Sequence, residues 1–455
     1  SSAAVVSRAA FNRGEPGEAD RLAAETLEES GLSPAVRCRL LCVRSDAALT
    51  RGDSEDAIEL ARAAEEAARV GRDPTLLPQA LAREAAGFFH GGDFGDARDR
   101  YQAALDAALA AGDVVGLPPH VLNLASAEHA LGELGTALER YQQAARLSGR
   151  LGRQVSRAAA LTNWAGLLVD VGATDEASQV LEDALASARA AGSAIYAAQG
   201  AMIRATLVGR SSPEEGRDLA REARSAFLSC GAARQALEAE LLGAELSADA
   251  GEPEVGLELA ARSEERLARS GLAARAAVLE ARARSMTGEL DGALRRAEDA
   301  RRLAREEGDL DLEARALGTA AQVHERLGTG AAHPIAMRAR EVLGTVAARL
   351  PAGLRERYLK APERRAIVHL AKSAAAQGTS PDLGARTSRV LALVRRILLE
   401  GSEERLLEAA VDQAVELVGA ERAFLLRKRP RGKPYVAVAR IIARETIGRG
   451  KARFS

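Results

Sequence analysis

Glycine returns about every 40 residues through most of this 455-residue chain, at Gly14, Gly52, Gly92, Gly132, Gly172, Gly251, Gly288 and Gly328, with Ser211 in the remaining slot. A second series trails the first: Gly31, Gly71, Gly112, Gly152, Gly192, Gly231, Gly271 and Gly308. Five residues after each slot of the first series, up to position 293, stands a small residue: Ala19, Ala57, Ala97, Ala137, Ala177, Gly216, Gly256 and Ala293. The chain is too long for one ordinary core. A fixed period of this size instead specifies a solenoid, in which each unit packs only on its neighbours.

The stretch 120–152 shows the chemistry of one unit. Val121, Leu122, Leu124, Ala125, Ala127 and Leu131 recur at helical spacing before Gly132, Glu133, Leu134 and Gly135 interrupt them. Thr136 to Ala145 resumes the helix, and a second break follows near Gly149 and Gly152. Glycine suits such a corner because it takes left-handed backbone angles without a Cβ clash. The small residue five positions on lets the second helix lie close against the first. Tyr101 and Tyr141, nine residues after their glycines, and Ala104, Ala144 and Ala184, twelve after, repeat that packing logic. Each unit is therefore a helical hairpin, with helix A before the first-series glycine and helix B between the two series. Composition agrees: the chain is 47% hydrophobic but 3% aromatic, so Ala and Leu carry the burial, which favours helices over a β-rich fold.

This pattern resembles the tetratricopeptide repeat. The carriers are Asn123-Leu124-Ala125 and Asn163-Trp164-Ala165 in helix A, followed by the glycine, the small residue, the tyrosine and the later alanine. The resemblance spans residues 1–330 and implies an all-α fold, a right-handed superhelix of about eight hairpins with the A helices lining its concave side. In that family the asparagine often faces the groove and hydrogen-bonds an extended peptide. Asn123 and Asn163 occupy its slot, and His90, Ser126, His129 and Asp170 join them as groove candidates by analogy of slot. The same asparagines can instead cap or bridge to the adjacent helix. His90 and His129 fall in adjacent slots of successive repeats, but no partner carboxylate motif marks them as metal ligands.

After Gly328 the pattern changes. Ile335 to Leu350 reads as one helix stopped by Pro351, and Leu354 to Ala371 as a helical stretch broken by Pro362; together, residues 331–371 are expected to cap the open apolar face of the array. Residues 372–386, with the small polar run Ser373 to Asp382, read as a linker. Val390, Leu391, Val394, Ile397 and Leu398 put an amphipathic signalling helix in 387–401, a site for a homodimer contact. Ser402 then starts a helix carrying Leu406, Leu407, Ala410, Val411, Ala414, Val415 and Val418 on one face. Strands are expected at Ala423 to Leu426 and Tyr435 to Ala439. Residues 402–455 thereby resemble the opening of a GAF domain, a small α/β sensory module, carried by Leu406 to Val411, Leu417 to Leu426 and Val436 to Arg440. A complete module needs more chain than this, so the segment is expected to be its N-terminal part, in a protein that extends further at both ends.

Sixty-three basic and 64 acidic residues balance to a net charge of −1, which gives no global attraction to nucleic acid or to an anionic membrane. The basic run from Arg422 to Arg453 fits a solvated sheet edge. Three cysteines, Cys38, Cys42 and Cys230, make no disulfide framework, and no membrane or secretion signal is visible; a cytoplasmic location is expected. No phosphate loop, metalloprotease helix, nucleophile elbow, kinase loop set or zinc spacing is present, so no catalytic residue, metal or cofactor is expected. The resemblances imply a sensory and interaction region of a bacterial signalling protein, with a peptide, a protein or a small effector in the groove. A sigma-54-dependent transcriptional regulator is the first reading. A substrate-recruiting region of a Ser/Thr or sensor kinase, a pure scaffold, and a groove for a small sugar-like inducer floored by Trp164 and Tyr196 are the alternatives.

Overall fold

The computed structural model describes residues 2–71, 73–377, 422–427 and 435–441. Nine A helices alternate with nine B helices. The A helices are α1 (Ser2–Asn12), α3 (Pro34–Arg51), α5 (Leu76–Gly91), α7 (Leu117–Ala130), α9 (Gln154–Asp170), α11 (Ala194–Gly209), α13 (Ala233–Asp249), α15 (Ala273–Thr287) and α17 (Leu310–Arg326). The B helices are α2 (Pro16–Leu27), α4 (Ser54–Gly71), α6 (Phe94–Ala110), α8 (Leu134–Arg150), α10 (Thr174–Ala190), α12 (Pro213–Ser229), α14 (Glu254–Arg269), α16 (Leu290–Glu307) and α18 (Ala332–Ala348). Each helix packs on the one before and the one after it. Successive A helices, apart from α5 and α7, also pack on one another, whereas successive B helices in the array do not pack closely. The A helices therefore form the inner wall and the B helices the outer one.

The glycines make the corners. Every first-series glycine has positive φ, from 66° at Gly328 to 91° at Gly251. The residue that follows it donates its N–H back to a helix carbonyl left without an intrahelical partner, as in Asp93 to Phe88 O (2.9 Å), Glu133 to Glu128 O (2.8 Å) and Ala173 to Leu168 O (2.8 Å). The second series behaves likewise except at Gly31, which has positive φ but stands beyond the end of α2 without the return bond, and at Gly71, which closes α4 with ordinary helical angles and lies against Pro34. There the corner moves to Asp73, whose carboxylate accepts from the backbone N–H and the hydroxyl of Thr75.

Close helix contact needs the small residue five positions past the corner. Ala19, Ala57, Ala97, Ala137, Ala177 and Ala293 are all fully buried. At α12 even alanine is too large: a Cβ on Gly216 would lie 2.5 Å from Gly209 Cα and 2.8 Å from Ala205 O. Polar pairs join the same interface. Arg100, Arg140 and Arg296, each eight residues past its corner glycine, reach the buried carboxylates of Glu84 (3.3 Å), Glu128 (2.7 Å) and Glu280 (2.5 Å) on helix A.

The sequence placed the first capping helix after residue 330, but α18 packs on α17 across the Gly328 corner as the B helix of a ninth hairpin. Two more helices follow, α19 (Ala352–Lys360) and α20 (Pro362–Gln377). Helix α20 runs through the start of the stretch read as a linker, where Ala374, Ala375 and Ala376 are strong helix formers. Residues of α18, α19 and α20, among them Val346, Leu350, Leu354, Tyr358 and Ile367, share one hydrophobic cluster with repeats three to five. Strands β1 (Arg422–Arg427) and β2 (Tyr435–Ile441) pair antiparallel, with Phe424 opposite Ala439 and an irregularity at Leu425/Leu426. The signalling helix expected at 387–401 and the helix expected from Ser402 lie outside the described residues. Among the described residues no helix is long and apolar enough to cross a membrane.

Glycine to alanine in a helix ordinarily stabilises it. At Gly216 the contact with α11 reverses the sign: Gly216→Ala should destabilise the array by about 1–3 kcal/mol, read as a lower urea midpoint by circular dichroism. An unchanged or higher midpoint would show that the two helices separate without cost.

Candidate functional site

The inner wall carries the candidate residues because the A helices turn the same face inward in every repeat. Four of the six come together. Asn163 on α9 points its amide at Ser126 Oγ on α7 (3.5 Å), and Ser126 Oγ also accepts from Tyr141 Oη (3.4 Å). Tyr141 Oη lies 3.4 Å from His129 Nδ1, and His129 Nε2 lies 3.5 Å from Asp170 Oδ2 at the end of α9. The five side chains form a continuous polar chain across repeats four and five. Asp170, with its side chain 61% exposed, is its open end.

Asn123 shares the slot of Asn163 on the preceding A helix and is half-buried, and its amide makes no hydrogen bond to the described residues. Asn163 has taken the bridging role that sequence reasoning kept as its alternative, reaching the neighbouring A helix at the limit of hydrogen-bond distance. His90 stands apart from His129, at the end of α5 beside Phe89. Burial lowers its pKa, and the Arg234 guanidinium of α13 adds to the effect, which places α5 and the start of α13 within electrostatic reach of each other.

Tyr141 is the residue that sequence reasoning read only as packing. Its ring is buried, burial raises its pKa, and its hydroxyl is the hub of the chain. The signal lay in the slots: Ser126 and His129 sit six and three residues before Gly132, and both face the tyrosine nine after it. Tyr101 fills the same slot in the repeat before, where Ala86 replaces the serine, and its burial raises its pKa with no hydrogen bond to compensate.

Charged pairs line the rest of the wall. Asp46 of α3 takes Arg8 of α1 (2.6 Å) and Arg83 of α5 (3.1 Å). Arg275 of α15 makes two hydrogen bonds to Glu245 of α13 (2.9 and 2.6 Å). Arg282 pairs with Asp249 one turn further on. At the last repeat Asp311 of α17 accepts from Tyr358 Oη (2.7 Å) and Arg364 Nε (2.8 Å), while Arg364 lies over the Tyr358 ring at 4.0 Å. Burial opposes ionisation of Asp311, but the Arg364 and Arg315 cations and the Tyr358 hydroxyl outweigh it and hold the carboxyl below its ordinary value. Asp170 lies within electrostatic reach of Arg364 and adds slightly to the raising of its pKa, behind the larger effect of Asp311. Among the described residues no group of three or more His, Cys, Asp or Glu is placed to hold a metal. Cys38 and Cys42 are buried on α3, and Cys230 is exposed.

No protein-family model and no curated protein matches the chain. Among solved structures it is similar to a Rap protein complexed with Competence and Sporulation Factor, at 15% identity and a TM-score of 0.60, covering 76% of this chain and 98% of that one. It is also similar to the Rap conjugation gene regulator of the plasmid pLS20 in complex with the Phr* peptide, at 12% identity and a TM-score of 0.51, covering 70% of this chain and 97% of that one. Together with the corner geometry, these likenesses establish the fold: a tetratricopeptide-like helical-repeat solenoid.

Two substitutions test this wall. Tyr141→Phe should cost about 0.5–1.5 kcal/mol of stability, while Tyr101→Phe, which removes a hydroxyl without a partner, should cost less than half of that by urea unfolding. Equal costs would mean that the hydroxyl chain contributes nothing. Because the folded pKa of Asp311 lies below its ordinary 3.8, its contribution is present above that value and is lost as pH falls through the folded one. Asp311→Asn should therefore lower stability at neutral pH and flatten the loss seen below pH about 4.

Proposed function

We propose that this solenoid is the peptide- or protein-binding sensory region of a cytoplasmic signalling protein, and that its ligand lies along the inner wall of repeats four and five. The observation that carries the reading is the clustering of polar side chains there, on a wall otherwise filled by ion pairs and alanine. A carboxamide offers both a donor and an acceptor, which is what an extended backbone needs at each residue. Neighbouring A helices stack about 8–10 Å apart, and an extended peptide advances about 3.3 Å per residue. Asn123 and Asn163, one repeat apart, therefore match every third residue of such a ligand. The two similar Rap structures were each determined with a peptide or factor bound, which supports the same use of this fold here.

The finer reading, a sigma-54-dependent regulator with a GAF module after residue 402, rests on the sequence resemblance, and the β1–β2 hairpin is compatible with it. Panning a random peptide library on the full chain tests the groove directly. Selected peptides should bind with affinity that falls tenfold or more in Asn123→Ala/Asn163→Ala, since two backbone hydrogen bonds are worth about 1–3 kcal/mol. Exposed outer-wall changes such as Gln179→Ala should leave it intact. Binding that ignores the asparagines, or no selectable peptide at all, overturns the reading.

A further inference from the structure

A solenoid in which each repeat touches only its neighbours has a soft pitch, because no contact ties distant repeats together. This chain has such a tie. The segment 349–361, from the end of α18 through α19, leaves the ninth repeat and lies on the A–B corners of the fourth and fifth. Arg349 Nη1 donates to Leu131 O at 3.0 Å, and Arg357 Nη1 pairs with Glu176 at 2.7 Å. Leu350, Leu354 and Tyr358 are buried in the cluster that also holds Leu134, Leu168 and Val171.

The backbone approach is close. A Cβ on Gly172 would lie 2.9 Å from Arg357 O, and one on Gly135 would lie 3.1 Å from Arg349 O and 3.4 Å from Pro351 Cδ. The far end of the segment is anchored on the ninth repeat, where Tyr358 and Arg364 share Asp311. The corners it covers are those that end α7 and α9, the two helices that carry the polar chain.

We propose that residues 349–361 are a latch that holds the groove wall of repeats four and five in its observed geometry, so that groove and latch open together. The inference deepens the peptide-groove reading by giving that site its regulation. A ligand that prefers one spacing of α7 and α9 shifts the latch by its differential affinity, and the latch biases the ligand by the same amount. Asp170, which ends the polar chain at His129, also lies within electrostatic reach of Arg364 beside the latch anchor.

Gly135 allows a clean test. It is the second residue of α8 and Gly95 is the second residue of α6, in the same slot one repeat earlier; a side chain at Gly95 meets nothing within 4 Å. Leucine is a good helix former at both positions, so only Gly135→Leu presses on the latch. Hydrogen exchange by mass spectrometry on the full chain should show tenfold or faster exchange in α19, and clearly faster exchange in α7 and α9, for Gly135→Leu and for neither region in Gly95→Leu. Arg357→Glu should act in the same direction, with partial return in Arg357→Glu/Glu176→Arg, which keeps the test decisive should Gly135→Leu fail to fold. Faster exchange confined to α19, no change in α19, or an equal effect of Gly95→Leu overturns the latch. None of these outcomes depends on a ligand, so a groove that binds no peptide sinks the functional reading and leaves the latch to be judged by exchange alone.

Discussion

The architecture depends on how closely helix B approaches helix A, and that distance is set by one buried position per repeat. Alanine at that position in six hairpins and glycine in two bring the helix axes together at the cost of apolar area, because each methyl group contributes only about 0.8 kcal/mol on burial. Buried aromatic rings are few: among the described residues Tyr141, Phe227 and Tyr358 are the aromatic members of the largest fully buried side chains, and the others are leucines. Stability is then spread thinly along the array, and the arginine–glutamate pairs between helices matter more than they would in a leucine-rich core. A carboxylate such as Glu84 or Glu280 is tolerated inside because two guanidinium groups reach it.

What the sequence made legible is what is decided within one repeat. The corner glycines, the small residue after them, the tyrosine slot and the helix stops at Pro351 and Pro362 obey local rules, and the structure follows them. Ser126, His129, Asn163 and Asp170, grouped in the sequence by slot, lie near one another because the inward face repeats with the period. The misses are contacts that no local rule encodes. Gly71 failed as a corner because Asp73 and Thr75 supply one nearby. Helix α18 was mistaken for a cap because His333 and Pro334 disguise the B-helix pattern. Tyr141 reads as packing because its ring is buried, and only its hydroxyl joins the polar chain. Arg349 and Arg357 look like any other surface arginines until the chain returns to Leu131 and Glu176.

Many polar groups of the inner wall are paired with one another, although buried atoms such as His120 Nδ1, Trp164 Nε1 and Gln199 Oε1 have no hydrogen-bond partner among the described residues. Asp46, Glu245 and Asp311 each hold a guanidinium or two, and Ser126 is shared by Asn163 and Tyr141. A ligand entering such a wall mostly exchanges hydrogen bonds, and exchange yields little net energy. Affinity is then expected from groups with capacity left, among them the Asn123 amide, the uncommitted oxygen and second N–H of Asn163, and the exposed edge of the Asp170 carboxylate. Selectivity follows from the same fact, since a ligand that breaks the Asn163–Ser126–Tyr141 chain without replacing it leaves buried polar atoms unpaired.

That constraint also decides how a groove event travels. Asp170 pairs with His129 within the polar chain and lies within electrostatic reach of Arg364 from α20. Arg364 in turn stacks on Tyr358, whose hydroxyl is bound by the same Asp311, so the side chains at the groove end and at the latch anchor share charges and do not act separately. The solenoid between them is compliant, built from neighbour contacts and small residues. In such a frame a long-range tie restrains the site beneath it, so a change in either is expected to be felt in the other.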